Sequence, residues 1–226
     1  MATPITDQIN LHSYWTPELV EQIPHVQGAR FDIIDGELHV TSTIPAWTTD
    51  IVEQMPQIEG ERYELMDGDL FVTTQPHLRH QNACTNIVAE LNAWSRSGNH
   101  GIAIFAPGLV YGKGDAVAPD VVWVSAARRA AVFGADGKLH DSPELVVEML
   151  SPGKKNEKRD RERKLDYYAR HDIQEYWIAD WRTVTIEVYR RDDAGLALAQ
   201  TLQAGDTITS PLLPGFSCVI DRFFEL

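Results

Sequence analysis

The chain is short of cysteine, of basic charge and of long apolar runs, and each shortage removes a class of protein. Its two cysteines, Cys84 and Cys218, stand far apart in 226 residues and form no CxxC pair. Neither a disulfide framework nor a thiolate zinc site is expected, and both cysteines read as small buried hydrophobes in a reducing cytoplasm. Lysine and arginine number 20 against 33 aspartates and glutamates, for a net charge of -13. A surface of that sign repels phosphate, which counts against a protein that coats nucleic acid but does not exclude a nuclease. The longest uncharged stretch, Ser97 to Gly112, is interrupted by Pro107 and several glycines, so no membrane span is expected. Met1 to Ile9 lacks both a basic start and an apolar run, and no secretory signal is expected there. No Walker pattern, Gly-rich phosphate loop or GxSxG elbow occurs.

What is present is an ordinary globular composition, 43% hydrophobic and 23% charged, of a length that fits one domain with an appendage. An ungapped internal repeat stands out. The segment Leu19 to Ser42 aligns with Ile51 to Thr74, pairing Val20/Val52, Glu21/Glu53, Pro24/Pro56, Gly28/Gly60, Arg30/Arg62, Asp35/Asp67, Gly36/Gly68 and Val40/Val72. Two copies are too few for a solenoid. Each copy reads as a short helical segment ended by proline (Pro17 to Gln22, Asp50 to Gln54), then a hairpin about an Asp-Gly turn, since both turn residues tolerate positive φ. The expected division is a 1–49 appendage carrying the extra hairpin (19–42) and a 50–226 main domain.

Beyond the repeat, Ile87, Val88, Leu91 and Trp94 recur at helical spacing and predict a helix over Gln81 to Trp94, closed by Gly98. Strands are expected at Ala103–Ala106, Leu109–Tyr111, Val121–Val124, Leu145–Leu150, Glu175–Ala179, Val184–Arg190, Leu196–Leu202 and Ser217–Ile220. A second helix is expected from about Glu157 to Arg170. The fold class is α+β, α/β-like, with a central mixed sheet flanked by helices. Trp123 and Trp177 read as core.

Two carboxylates sit where burial is costly. Glu148 lies inside the apolar run Leu145-Val-Val-Glu-Met-Leu150, and Asp120 opens Val121-Val-Trp-Val124. A carboxylate in such a run must be paired or bind a metal. If the strands are neighbours the two converge, a donor set that suits Mg²⁺ or Mn²⁺ with waters retained for a phosphate. The bland alternative is a pair of strand-end charges facing solvent.

Lys164 shares a helical stripe with Asp160 and Tyr168 at i, i+4 and i+8. It either reaches a scissile phosphate or is an ordinary helix cation paired with Asp160. Lys154 and Lys155 compete with it, as phosphate contacts on a hydrophilic loop. They belong to a local basic patch that also holds Lys158, Arg159, Arg161 and Arg163, partly cancelled by Glu157, Asp160 and Glu162. Glu64, whose repeat counterpart is Asp32, is either a third carboxylate of the site or a solvent-facing strand residue. His80, with His77 nearby, is either a phosphate contact or a polar residue opening the first helix.

Several ordered motifs together resemble the Uma2 family of putative restriction endonucleases, also called DUF820. They are Tyr63-Glu-Leu-Met-Asp-Gly-Asp-Leu70, His80-Gln81, Ala118-Pro-Asp-Val-Val-Trp-Val124, Leu145-Val-Val-Glu-Met-Leu-Ser-Pro152, Asp160…Lys164…Tyr168, Gln174-Glu-Tyr-Trp-Ile-Ala-Asp180 and Leu212-Leu-Pro-Gly-Phe216. The resemblance runs from about Asp50 to the C-terminus. It implies a restriction-endonuclease-like PD-(D/E)xK core, with Pro119-Asp120 as the PD element and Glu148 as the acidic member of the triplet. The triplet's third position is Leu150, not lysine. Similar families supply the lysine from a following helix, which here points to Lys164.

The resulting expectation is Mg²⁺- or Mn²⁺-dependent phosphodiester hydrolysis. Asp120 and Glu148 hold the metal with Glu64 in support, Lys164 stabilises developing charge, and His80, Lys154 and Lys155 are possible substrate contacts. The expected partner is nucleic acid, DNA in the first instance, with a homodimer as the possible assembly. The rival expectation is a nuclease-like binding or regulatory module without turnover. A weaker third is hydrolysis of small phosphoesters. The extra hairpin leaves three roles open: capping a sheet edge, supporting a dimer or covering the site.

Overall fold

A computed structural model describes residues 15–26, 29–34, 37–42, 47–56, 61–74, 76–113, 115–151 and 157–226. The chain forms two compact units, the first ending at Gln75 and the second beginning at Pro76.

The first unit is the repeat. Helical turn α1 (Pro17–Val20) precedes the hairpin β1 (Ala29–Ile34) and β2 (Glu37–Ser42), and α2 (Thr49–Val52) precedes β3 (Glu61–Met66) and β4 (Asp69–Thr74). Every element of the second copy begins and ends 32 residues after its counterpart. The copies also share their caps: Thr16 and Thr48 accept from Leu19 N–H and Ile51 N–H, each at 3.4 Å, which satisfies a donor the first turn leaves orphaned. The correspondence extends upstream of the alignable segment, to Trp15 and Trp47, both buried. Phe31 of the first copy packs edge-on against Trp47 of the second, with ring centroids 5.5 Å apart. At the second turn Asp67 and Gly68 have φ of 52° and 77°, the pair of positive values a two-residue I′ hairpin requires. The Asp35-Gly36 turn lies outside the described residues.

The second unit carries the mixed sheet. Its strands are β5 (Gly101–Phe105), β8 (Val121–Ser125), β9 (Leu145–Met149), β10 (Glu175–Asp180), β11 (Thr185–Asp192) and β12 (Gly195–Leu202), in the spatial order β12-β11-β10-β9-β8-β5. Strands β9 and β10 are parallel and the other described neighbours antiparallel. Two small hairpins accompany the sheet: β6 (Leu109–Gly112) with β7 (Asp115–Val117), and β13 (Thr207–Ser210) with β14 (Leu213–Val219).

Helix α3 (Leu78–Gly98) covers one face. Its Ala83, Cys84, Ile87 and Leu91 pack with Val121 and Trp123 of β8, Leu145, Val147 and Met149 of β9, and Trp177 and Ala179 of β10. Burying such side chains contributes about 1.5–3 kcal/mol each. Polar bonds fix the angle of approach: Asn92 exchanges two 2.9 Å bonds with the backbone of Ala103, and Trp123 Nε1 donates to Ser95 Oγ at 2.9 Å. The helix begins three residues before the expected start, capped by His77, because its first turn has an exposed Leu78 and carries no apolar period. Gly98 is its last residue. Asn99 takes the left-handed cap, with φ of 53°.

Strand residues of the opposite parity, Val146 and Glu148 on β9 and Tyr176 on β10, face the second helical segment. That segment is a π-helical turn, Arg159–Arg163, running into α5 (Lys164–Arg170). A helical turn α4 (Arg129–Val132) lies between β8 and β9, and α6 (Asp221–Phe224) ends the fold against α3. No described helix is long and apolar enough to cross a membrane.

Candidate active site

Two antiparallel partners bring the carboxylates close. Val121 pairs with Val147 across β8 and β9, so Asp120, one residue earlier, comes level with Glu148, one residue later. The Met149 N–H donates to Asp120 Oδ2 at 2.9 Å. Pro119 and the bond from Ala106 N–H to Asp120 O hold the entry to β8 extended. Asp120 and Glu148 are 7% and 3% exposed, which demands compensation for both charges.

Glu148 is compensated from α5. Lys164 Nζ lies 2.9 Å from Glu148 Oε2, and Tyr168 OH donates to Glu148 Oε1 at 2.6 Å. Lys164 also lies 3.7 Å from Asp160 Oδ1 and is itself 3% exposed. The stripe Asp160, Lys164, Tyr168 therefore faces the sheet rather than solvent. The π turn shapes its start: Lys164 N–H bonds to Arg159 O, one residue further back than an α-helix would reach. Such insertions cluster at functional sites, because they redirect side chains without breaking the helix.

Asp120 is compensated from α3. His80 Nε2 stands 3.2 Å from Asp120 Oδ2. Burial pushes the Asp120 carboxyl up, but the bond and charge of His80, the charge of Lys164 and the Met149 N–H outweigh it, so the group stays below the usual carboxylate range. On the other ring edge, His80 Nδ1 lies 3.7 Å from Cys84 Sγ, one helical turn along. Tyr176 lines the same region and donates to Asp160 O at 3.1 Å. Its phenol is held well above the ordinary value by burial first, then by the negative fields of Glu148, Asp160 and Asp120.

The structure thus brings together Asp120, Glu148, Lys164 and His80. His80 stands in the first turn of α3, as a polar residue opening the helix would. It is 4% exposed and bonded to the aspartate. Glu64 lies on β3 of the first unit, opposite Phe71, with its side chain buried rather than facing solvent; the cluster above is built from the second unit. Lys154 and Lys155 lie outside the described residues. Sequence reasoning undervalued Tyr168 and Cys84, although each stands four residues from a singled-out partner, Lys164 and His80. Asp160, read as the lysine's surface partner, is 2% exposed and part of the site.

Chemically, this is a donor set of hard carboxylate oxygens beside a buried ammonium. Two aligned carboxylates of this kind suit a divalent cation that keeps waters for substrate. The ammonium suits an oxyanion.

Comparison with known proteins adds three findings. The profile of the Uma2 family, described as "Putative restriction endonuclease", matches residues 49–221. Among solved structures, the chain is similar to one described as a "putative nuclease belonging to DUF820" from Anabaena variabilis ATCC 29413. The two share 17% identity and a TM-score of 0.62, over 78% of this chain and 97% of that one. No curated protein matches.

Proposed function

Since the chain belongs to the Uma2 family, we propose that it is a divalent-metal-dependent endonuclease that hydrolyses phosphodiester bonds in nucleic acid, DNA in the first instance. One observation carries the reading: Glu148, Lys164 and Asp120 form a single buried cluster on a shared sheet end.

Asp120 and Glu148 would hold Mg²⁺ or Mn²⁺. Bound there, the ion lowers the pKa of a coordinated water and offsets charge on the phosphate. The protein's own groups do the rest. Tyr168 and Lys164 fix the Glu148 carboxylate from two sides, and Met149 N–H and His80 fix Asp120. Lys164 stands ready to stabilise negative charge developing on a phosphate oxygen, in a setting dry enough for that charge to count. Lys154 and Lys155 would contact the phosphate backbone. A reducing, cytoplasmic setting suits the two buried free thiols.

A second reading, a binding module without turnover, draws on the engagement of both Glu148 oxygens by protein donors. The two separate on two measurements: cleavage of supercoiled and linear DNA with Mg²⁺, Mn²⁺ or a chelator, and calorimetric titration with either ion. Cleavage that a chelator abolishes and Asp120→Asn removes supports the enzyme. DNA binding without cleavage in the presence of either ion, with no ion uptake by calorimetry, supports the module.

A further inference from the structure

Cys84, His80 and Asp120 form a second kind of donor set, which shares Asp120 and His80 with the phosphodiesterase reading and adds a thiol that reading does not use. Their ligand atoms, a thiol sulfur, a ring nitrogen and a carboxylate oxygen, all lie within 4.8 Å of one another, and all three residues are buried. We propose that this trio binds a borderline-soft transition-metal cation of the Zn²⁺ type, distinct in chemistry from the hard ion proposed at Asp120 and Glu148.

The contacts of the trio set out how a cation would replace a proton. An ionised carboxylate only accepts, so His80 Nε2 carries its proton towards Asp120 Oδ2. In the tautomer with the proton on Nε2 alone, Nδ1 is the acceptor and Cys84 the donor across 3.7 Å. A cation bound there displaces the single thiol proton to solvent, and the Asp120 carboxylate turns from the ring N–H to the ion. His80 and Cys84 stand at i and i+4 on α3, the spacing by which two ligands on one helix face grip a single ion. Asp120 supplies the third ligand from another element. Around a tetrahedral zinc with bonds of about 2.0–2.3 Å, ligand atoms sit roughly 3.3–3.8 Å apart. Small side-chain rotations therefore close the trio on an ion and leave a fourth position for water. A thiolate ligand selects against Mg²⁺ and for zinc or cobalt. The sequence rule that looks for paired cysteines overlooks such a site, because only one ligand is a thiolate.

Cys218 provides the internal control. Its thiol donates to Val219 O, and burial pushes it up to about 11, so it stays protonated.

The test is titration of the metal-free, reduced full-length chain with Co²⁺, read as the near-ultraviolet thiolate-to-cobalt band and the visible bands of a tetrahedral ion. The inference predicts both features at one equivalent. It predicts their retention in Cys218→Ser and at least about tenfold weaker binding, with loss of the thiolate band, in Cys84→Ser. His80→Gln gives the same loss by another route should Cys84→Ser fail to fold. No thiolate band in folded wild-type protein, or a band that survives in folded Cys84→Ser, overturns it. The readout needs no nuclease activity, so it stands or falls apart from the function proposed above.

Discussion

The Lys164 ammonium lies 2.9 Å from Glu148 Oε2, although the lysine comes from α5 and not from the strand position two residues after the glutamate. Leu150 occupies that position and is fully buried. A hydrophobe stands just past the strand where a lysine would otherwise be, and a helix supplies the charge from fourteen residues further on. This arrangement ties the chemistry of the site to the seating of α5, and it makes the lysine structural as well as functional.

Replacing Lys164 with Met therefore has two consequences. It leaves Glu148 and Asp160 buried without their shared cation, a loss expected to cost about 3–5 kcal/mol, read as a lower urea midpoint. Metal-dependent cleavage should fall by about 10²–10³ per enzyme molecule that remains folded. A Lys164→Met protein as stable as wild type would show that the ammonium does not compensate these carboxylates.

Tyr168→Phe isolates the positioning of Glu148. It removes a 2.6 Å bond to Oε1 and little volume. The expected stability loss is about 1.5–3 kcal/mol, as for a bond to a charged acceptor. Mg²⁺ affinity by calorimetry should weaken by about 10-fold or more. Unchanged affinity would assign Tyr168 to packing alone.

Acid lability should come in part from Asp180. Burial raises its carboxyl, but the side-chain bonds, backbone N–H and charge of Arg182 outweigh that, with Thr183 adding to them, and the group lies below the usual range. The folded protein thus binds this proton less readily than the unfolded chain. The stabilisation is complete above the unfolded value of about 3.9 and is lost as pH falls through the lower folded one. Between neutrality and about pH 3, Asp180→Asn should lose less stability than wild type, by urea denaturation at each pH. Parallel losses would contradict this. Asp120, also held low, has the same sign.

The hairpin repeat makes a separate prediction. Gly68 holds φ at 77° in a turn that needs a left-handed residue. Gly68→Val should destabilise the first unit by more than about 1 kcal/mol, detectable as faster backbone amide exchange in β3 and β4. Exchange unchanged from wild type would show that the turn tolerates a branched side chain.

Much of this was legible in the sequence, for reasons that differ by element. The strands of the sheet announce themselves as apolar runs, and Glu148 is conspicuous because it interrupts one. The repeat announces its hairpins through Asp-Gly. What escaped notice was short or context-dependent. Strands β7 and β13 span three and four residues, Asp115–Val117 and Thr207–Ser210, with too little apolar character to show a period. The π turn is invisible because Asp160, Lys164 and Tyr168 keep their helical spacing through it. The pairing of His80 with Asp120 joins residues forty positions apart, and only the docking of α3 on β8 brings them together. For the same reason the sequence left His80 as a polar helix-opening residue, although it is buried.

The most direct test of the proposed chemistry is DNA cleavage by Glu148→Gln alongside wild type, each with and without Mn²⁺. Glutamine preserves the size of the side chain and an acceptor for Tyr168 while removing the charge that would hold the ion. The proposal predicts metal-dependent cleavage by wild type and its loss, by about 10²-fold or more, in a folded Glu148→Gln protein. Cleavage by that variant at the wild-type rate would contradict it.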